Sequence, residues 1–128
     1  MCPVCLGNWN CRDMKYPNVL KVKRSGTVLI VDDHCIVREA LGHYCSIMGL
    51  RVMGSVGSGE EALEGIATYN PDVVILDLKL SAIHGITVIE RSRVASPGQK
   101  FLIVSGFLDS VTAFRLDAVG IVGYVTKC

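Results

Sequence analysis

Three apolar runs, each ending on a polar residue, set the pattern of this chain. Val28-Leu29-Ile30-Val31 runs into Asp32-Asp33, Val73-Val74-Ile75-Leu76 into Asp77, and Phe101-Leu102-Ile103-Val104 into Ser105. Unbroken apolar runs rich in β-branched residues suit parallel strands covered on both faces. Strands are therefore expected over about 27–32, 50–56, 72–77, 100–105 and 122–126. Between them the period lengthens to that of helices, near 35–48, 59–69, 86–95 and 109–119. In the first helix Ile36, Val37, Ala40, Leu41, Tyr44, Cys45 and Met48 fall on one apolar stripe. Gly49 and Gly120 stand where a helix C-terminus wants a left-handed residue. Ser58 is a natural N-cap, with Glu60 and Glu61 in the first turn behind it. Asn70-Pro71 and Ser96-Pro97-Gly98 act as stops.

Strand and helix alternate four times and a final strand follows. That order implies a parallel sheet with right-handed crossovers. The expected fold is α/β, a doubly wound five-stranded sheet of order 2-1-3-4-5, with no helix to cover it after the last strand. At 128 residues the chain suits one such domain. Residues 1–26 show no sustained period and read as an irregular leader, leaving 27–128 as the domain.

In such a sheet, sites form at the carboxyl ends of the strands. Asp32, Asp33 and Asp77 converge there if the first and third strands are neighbours. Three clustered carboxylates repel, which favours a bound cation, and hard oxygen donors suit Mg2+ or Mn2+. Ser105 can hydrogen-bond a phosphoryl oxygen, and Lys127 can neutralise another. Asp77, alone at the tip of the central strand, is the best candidate nucleophile. His34 follows the acid pair, where a surface or capping role is the simpler expectation than ligation. His43 and His84 are expected to be exposed.

The ordered set Val28 to Asp33, Val73 to Asp77 with Gly85 after it, Val104-Ser105-Gly106 and Gly123 to Lys127 resembles the receiver domain of two-component response regulators. The segment Asp32 to Leu41 is most similar to the NarL/FixJ subgroup. The resemblance spans roughly residues 27–128 and implies the flavodoxin-like receiver fold. It implies that Asp77 takes phosphate from a sensor histidine kinase or phosphotransfer protein. Asp32, Asp33, Asp77 and the backbone carbonyl of Lys79 would hold Mg2+. Ser105 and Lys127 would read the phosphoryl group, Gly106 would leave room for it, and Tyr124 would be the aromatic switch that fills the volume freed when Ser105 moves inward.

Some positions depart from that pattern. Ser81 stands where the family usually has proline, which softens the loop. Lys79 and Phe107 lie where the family modulates phosphate loss, and a bulky Phe107 is expected to slow it. One residue follows Lys127, where the family has a further helix. Uncovered Leu, Ile and Val side chains at ~1.5–3 kcal/mol each would rival a domain's net stability. Truncation or self-association is therefore expected.

Charge and cysteines refine this picture. The net charge of +1 points to neither nucleic acid nor an acidic surface, though residues 1–26 carry +4 and the remainder −3. No run has the length of a membrane span and no signal pattern opens the chain, so a cytoplasmic location is expected. Cys2, Cys5 and Cys11 form at most three ligands of a zinc site. Cys35 and Cys45 read as small helix residues, partly or wholly buried. Two rival functions share the sheet. An aspartate-nucleophile phosphatase needs a second acid where Lys79 stands, and a flavodoxin-like cofactor binder needs a phosphate loop where Asp32-Asp33 would repel one. A receiver-like interaction module that is never phosphorylated is a further alternative. The chain is expected to act in signalling and not as an enzyme.

Overall fold

The structure, a computed structural model, describes residues 26–106 and 110–126. The chain runs β1 (Thr27–Val31), α1 (Cys35–Ile47), β2 (Arg51–Val56), α2 (Gly59–Tyr69), β3 (Val73–Leu76), α3 (Gly85–Ala95), β4 (Lys100–Ser105), α4 (Ser110–Val119) and β5 (Gly123–Thr126). All pairings are parallel, in the order β2-β1-β3-β4-β5. This is the expected sheet, with β1 and β3 side by side. Residues 1–25, Phe107 and Lys127 lie outside the described residues, and so do the calls made on them.

The apolar runs are the core. Leu29, Val31, Val74, Leu76, Phe101 and Ile103 point to one face of the sheet, where α2, α3 and α4 supply Ala62, Ile66, Ile86, Val88, Ile89 and Leu116. Val28, Ile30 and Ile75 point to the other face and meet Cys45 of α1. Burial there pushes the Cys45 thiol above its ordinary pKa. Side chains alternate across a strand, so both faces of β1 and β3 are buried only because helices lie on both.

Coverage is nevertheless uneven. On the α1 face Leu102 and Val104 are half-buried, and Val125, which pairs with Val104, is exposed. The apolar stripe read along α1 also needs correction. Leu41 packs inward with Cys45 and Val37 is half-buried, whereas Ile36 is 77% exposed and Ala40, Tyr44 and Ile47 also face solvent. The stripe is wider than the sheet it meets, and one flank of the helix has no neighbour among the described residues. Cys35 is likewise exposed, not buried, because it opens α1 beyond the edge of the core.

Polar clasps hold the ends. Thr27 N–H donates to Asp72 Oδ2 at 2.8 Å, and Asp72 N–H returns a bond to Thr27 Oγ1 at 3.0 Å, tying the starts of β1 and β3. Ser58 caps α2 by accepting from Glu61 N–H at 3.2 Å, and its hydroxyl donates to the Glu61 carboxylate at 3.1 Å. Asn70, Gly49 and Gly120 adopt the left-handed conformation at helix ends.

Candidate functional site: an acidic rim on the central strands

The central pair of strands sets the geometry. Asp77 N–H donates to Val31 O at 2.9 Å, so the residues that follow β1 and β3 lie side by side. Asp32 and Asp77 are both buried there, at 1% and 3% exposure. Asp32 is anchored by its N–H donating to Val56 O at 3.1 Å, and its carbonyl accepts from the Arg38 guanidinium at 2.7 Å. Arg38 was not singled out from the sequence. A cation one turn into a helix reads as a solvated charge until coordinates show it reaching back to the turn.

The loop after Asp77 is held as tightly. Asp77 Oδ1 accepts from Lys79 N–H at 3.3 Å, and Gly85 N–H donates to Leu78 O at 2.8 Å. A Cβ at Gly85 would sit 2.7 Å from the Asp77 carbonyl oxygen and 2.8 Å from Leu78 Cα. Glycine is what lets α3 start against this backbone. Lys79 and Ser81 are exposed.

Asp32, Asp33, His34 and Asp77 each bring a ligand atom to a point where all lie within 4.8 Å of one another. Carboxylates this close repel, and a divalent cation relieves the repulsion. Three oxygens from two strands and their loop, with Asp33 and His34 open to solvent, fit a hard cation that keeps some of its water. His34, largely exposed as expected, also reaches back to the acids. Its Nδ1 stands 3.1 Å from Asp32 Oδ1 and 2.9 Å from Asp33 Oδ1. The signal lay in the turn itself: Asp32 Oδ1 accepts from His34 N–H at 2.9 Å, and this swings the ring back over the acids. His84, expected only to be exposed, also caps α3, its Nδ1 accepting from Ile86 N–H at 3.3 Å.

The rim continues through β4 and β5. Ser105 is buried at the end of β4 and pairs with Thr126, immediately before Lys127. Gly106 is exposed, and a Cβ there would meet nothing within 4 Å. Tyr124, paired with Ile103, is 53% exposed, so its ring lies outward.

Residues 28–128 match the family model described as the response regulator receiver domain. The chain belongs to that family. Among curated relatives of this receiver domain is the response regulator GacA of Pseudomonas syringae pv. syringae, 36% identical over 101 residues. That match covers 78% of this chain and 47% of the relative, so the chain spans about half the length of such proteins. A LuxR-family two-component response regulator from Aurantimonas superposes with a TM-score of 0.76 at 29% identity, over 80% of this chain and 74% of that one. The receiver domain of the NarL regulator from Mycobacterium tuberculosis does so at 0.73 and 27% identity, over 78% and 82%. The NarL/FixJ resemblance and the receiver fold therefore hold. Among the described residues, no helix is long and apolar enough to cross a membrane.

Proposed function

We propose that this receiver domain is the phosphoacceptor of a two-component phosphorelay, that Asp77 is the accepting residue, and that Mg2+ or Mn2+ is its cofactor. The observation that carries the reading is the buried Asp77 at the tip of a central strand, with carboxylates of Asp32 and Asp33 within 4.8 Å. Asp32, Asp33, Asp77 and the carbonyl of Lys79 are the residues to hold the ion. When bound, the ion screens the acids and the incoming phosphoryl oxygens from one another.

The chain's own residues do the rest. An Asp77 carboxylate oxygen attacks phosphorus of a phosphohistidine, the P–N bond breaks, and the imidazole leaves with its electron pair. The Lys79 N–H at Asp77 Oδ1 orients the carboxylate for that attack. Ser105 then donates to one phosphoryl oxygen and the Lys127 ammonium pairs with another. As Ser105 is drawn in, the outward Tyr124 ring turns to follow it, so that phosphate biases a two-state element. The phosphate is held, not turned over, because no acid stands at Lys79 to protonate a leaving group. The partners are a histidine kinase or phosphotransfer protein in the cytoplasm, with no direct nucleic-acid contact by this chain.

The test is intact-mass measurement after incubation with Mg2+ and acetyl phosphate. The wild-type chain should gain one acid- and base-labile phosphoryl group, and Asp77→Asn should gain none. A module that is never phosphorylated would show no adduct, and a phosphatase would consume substrate continuously. Either result would overturn the proposal.

A further inference from the structure

His34 is placed as a helix N-cap but does not serve as one. Its ring makes no capping bond to α1, whereas His84, in the same position before α3, uses Nδ1 to accept from the helix backbone. The His34 Nδ1 is instead committed to the acids, 3.1 Å from Asp32 Oδ1 and 2.9 Å from Asp33 Oδ1. Metal–ligand bonds of about 2.1 Å at right angles place adjacent donor atoms about 3.0 Å apart. The two observed N···O separations have the length of such octahedral edges. With Asp77, they complete a cluster whose ligand atoms are all within 4.8 Å.

We propose that His34 is a ligand of the rim's divalent cation and sets its identity, turning a hard all-oxygen site into a mixed nitrogen–oxygen one that prefers Mn2+ over Mg2+. The inference rests on the acidic rim being the metal site of the proposed function. Its chemistry is that of donor softness. Mg2+ favours oxygen and water, while imidazole nitrogen suits first-row transition ions. One imidazole among three carboxylates adds affinity for Mn2+ that Mg2+ does not share. Because the His34 side chain is 67% exposed, it can be replaced without opening the core.

The experiment titrates the full chain with Mn2+, following the free ion by electron paramagnetic resonance, and repeats the titration in competition with Mg2+. It is carried out at about pH 8, where an ordinary imidazole is neutral. Wild type and His34→Ala are compared. His34→Ala should lower the Mn2+-over-Mg2+ preference about tenfold while moving Mg2+ affinity less than about threefold. Pulsed resonance of the Mn2+-loaded wild type should show coupling to an imidazole nitrogen that His34→Ala lacks. An unchanged preference with no nitrogen coupling would mean that His34 only hydrogen-bonds the acids, and the assignment falls. Phosphate acceptance is measured separately. If it fails while the His34-dependent preference stands, the functional reading is lost and the ligand assignment remains. If the wild type binds neither ion, both fall.

Discussion

Gly85 shows how much of the rim rests on one missing side chain. It lies eight residues from Asp77 in sequence, yet its Cα approaches the Asp77 carbonyl so closely that any Cβ would overlap backbone atoms. Backbone cannot swing aside as a flexible side chain can. Gly85→Ala should therefore move the Asp77 loop or the start of α3, at a cost of about 1–3 kcal/mol. Urea denaturation with a falling midpoint and an unchanged slope, together with weaker divalent-cation binding, is the expected outcome. Full stability with unaltered binding would show that the loop is softer than its contacts imply. At this scale the sequence was legible where chemistry and secondary structure coincide. Asp32, Asp77 and Ser105 stand at the ends of apolar runs, so finding the strands found them. His34 and Arg38 were not legible in the same way, because their roles depend on where a turn aims a ring and a guanidinium.

Among elements, the joint between α3, β4 and α4 depends on Arg93. Its guanidinium donates to the carbonyls of Pro97 at 3.0 Å, of Gln99, and of Gly120 at 2.7 Å. It also lies 5.5 Å from the centroid of the buried Phe101 ring. One side chain thus gathers the end of α3, the entry to β4 and the end of α4. Carbonyls bonded to a charged donor lose about 1.5–3 kcal/mol when it goes, with a further loss from the ring contact. Arg93→Ala should cost about 2–4 kcal/mol on that basis, and Arg93→Lys, which cannot reach three acceptors in a plane, should recover less than half. Chemical denaturation of the three proteins measures it; equal stability of all three would contradict this account. Periodicity marks these elements to within a residue or two and marks their C-terminal stops, but not the His84 cap of α3. It could not tell which flank of α1 meets the sheet, because Ile36 is as apolar as Leu41, and only the packed neighbours distinguish them.

For the whole molecule, the two faces of the sheet differ in cover. Among the described residues, three helices lie on one face and α1 on the other. Exposed Ile36, Tyr44 and Ile47 on α1, and exposed Val122 and Val125 at the far side of the sheet, add apolar surface that water must hydrate. Phe114 and Val111 of α4 are also exposed. The 128-residue chain should consequently self-associate as its concentration rises and should enhance the fluorescence of an apolar dye. Light scattering coupled to size exclusion tests this, and a monomer without dye binding at about 100 μM would refute it. That the sheet is parallel followed from the alternation of strand and helix, and its order from the resemblance to receivers, whereas the imbalance between its faces needed the packing.

One edge of the sheet is much better held than the other. β2 has α1 and α2 against it, while β5 is four residues long, lies at the other end of the sheet beside β4, and is exposed from Tyr124 to Thr126. Stiffness therefore declines across the molecule, from the acids on β1 and β3 toward Thr126 beside Ser105. Amide protons of β5 should exchange with solvent through small local openings, while those of β1 wait for the whole domain to come apart. A group bound at the rim would then find its immovable half in the centre and its yielding half at the margin, where a neighbouring molecule can feel the difference.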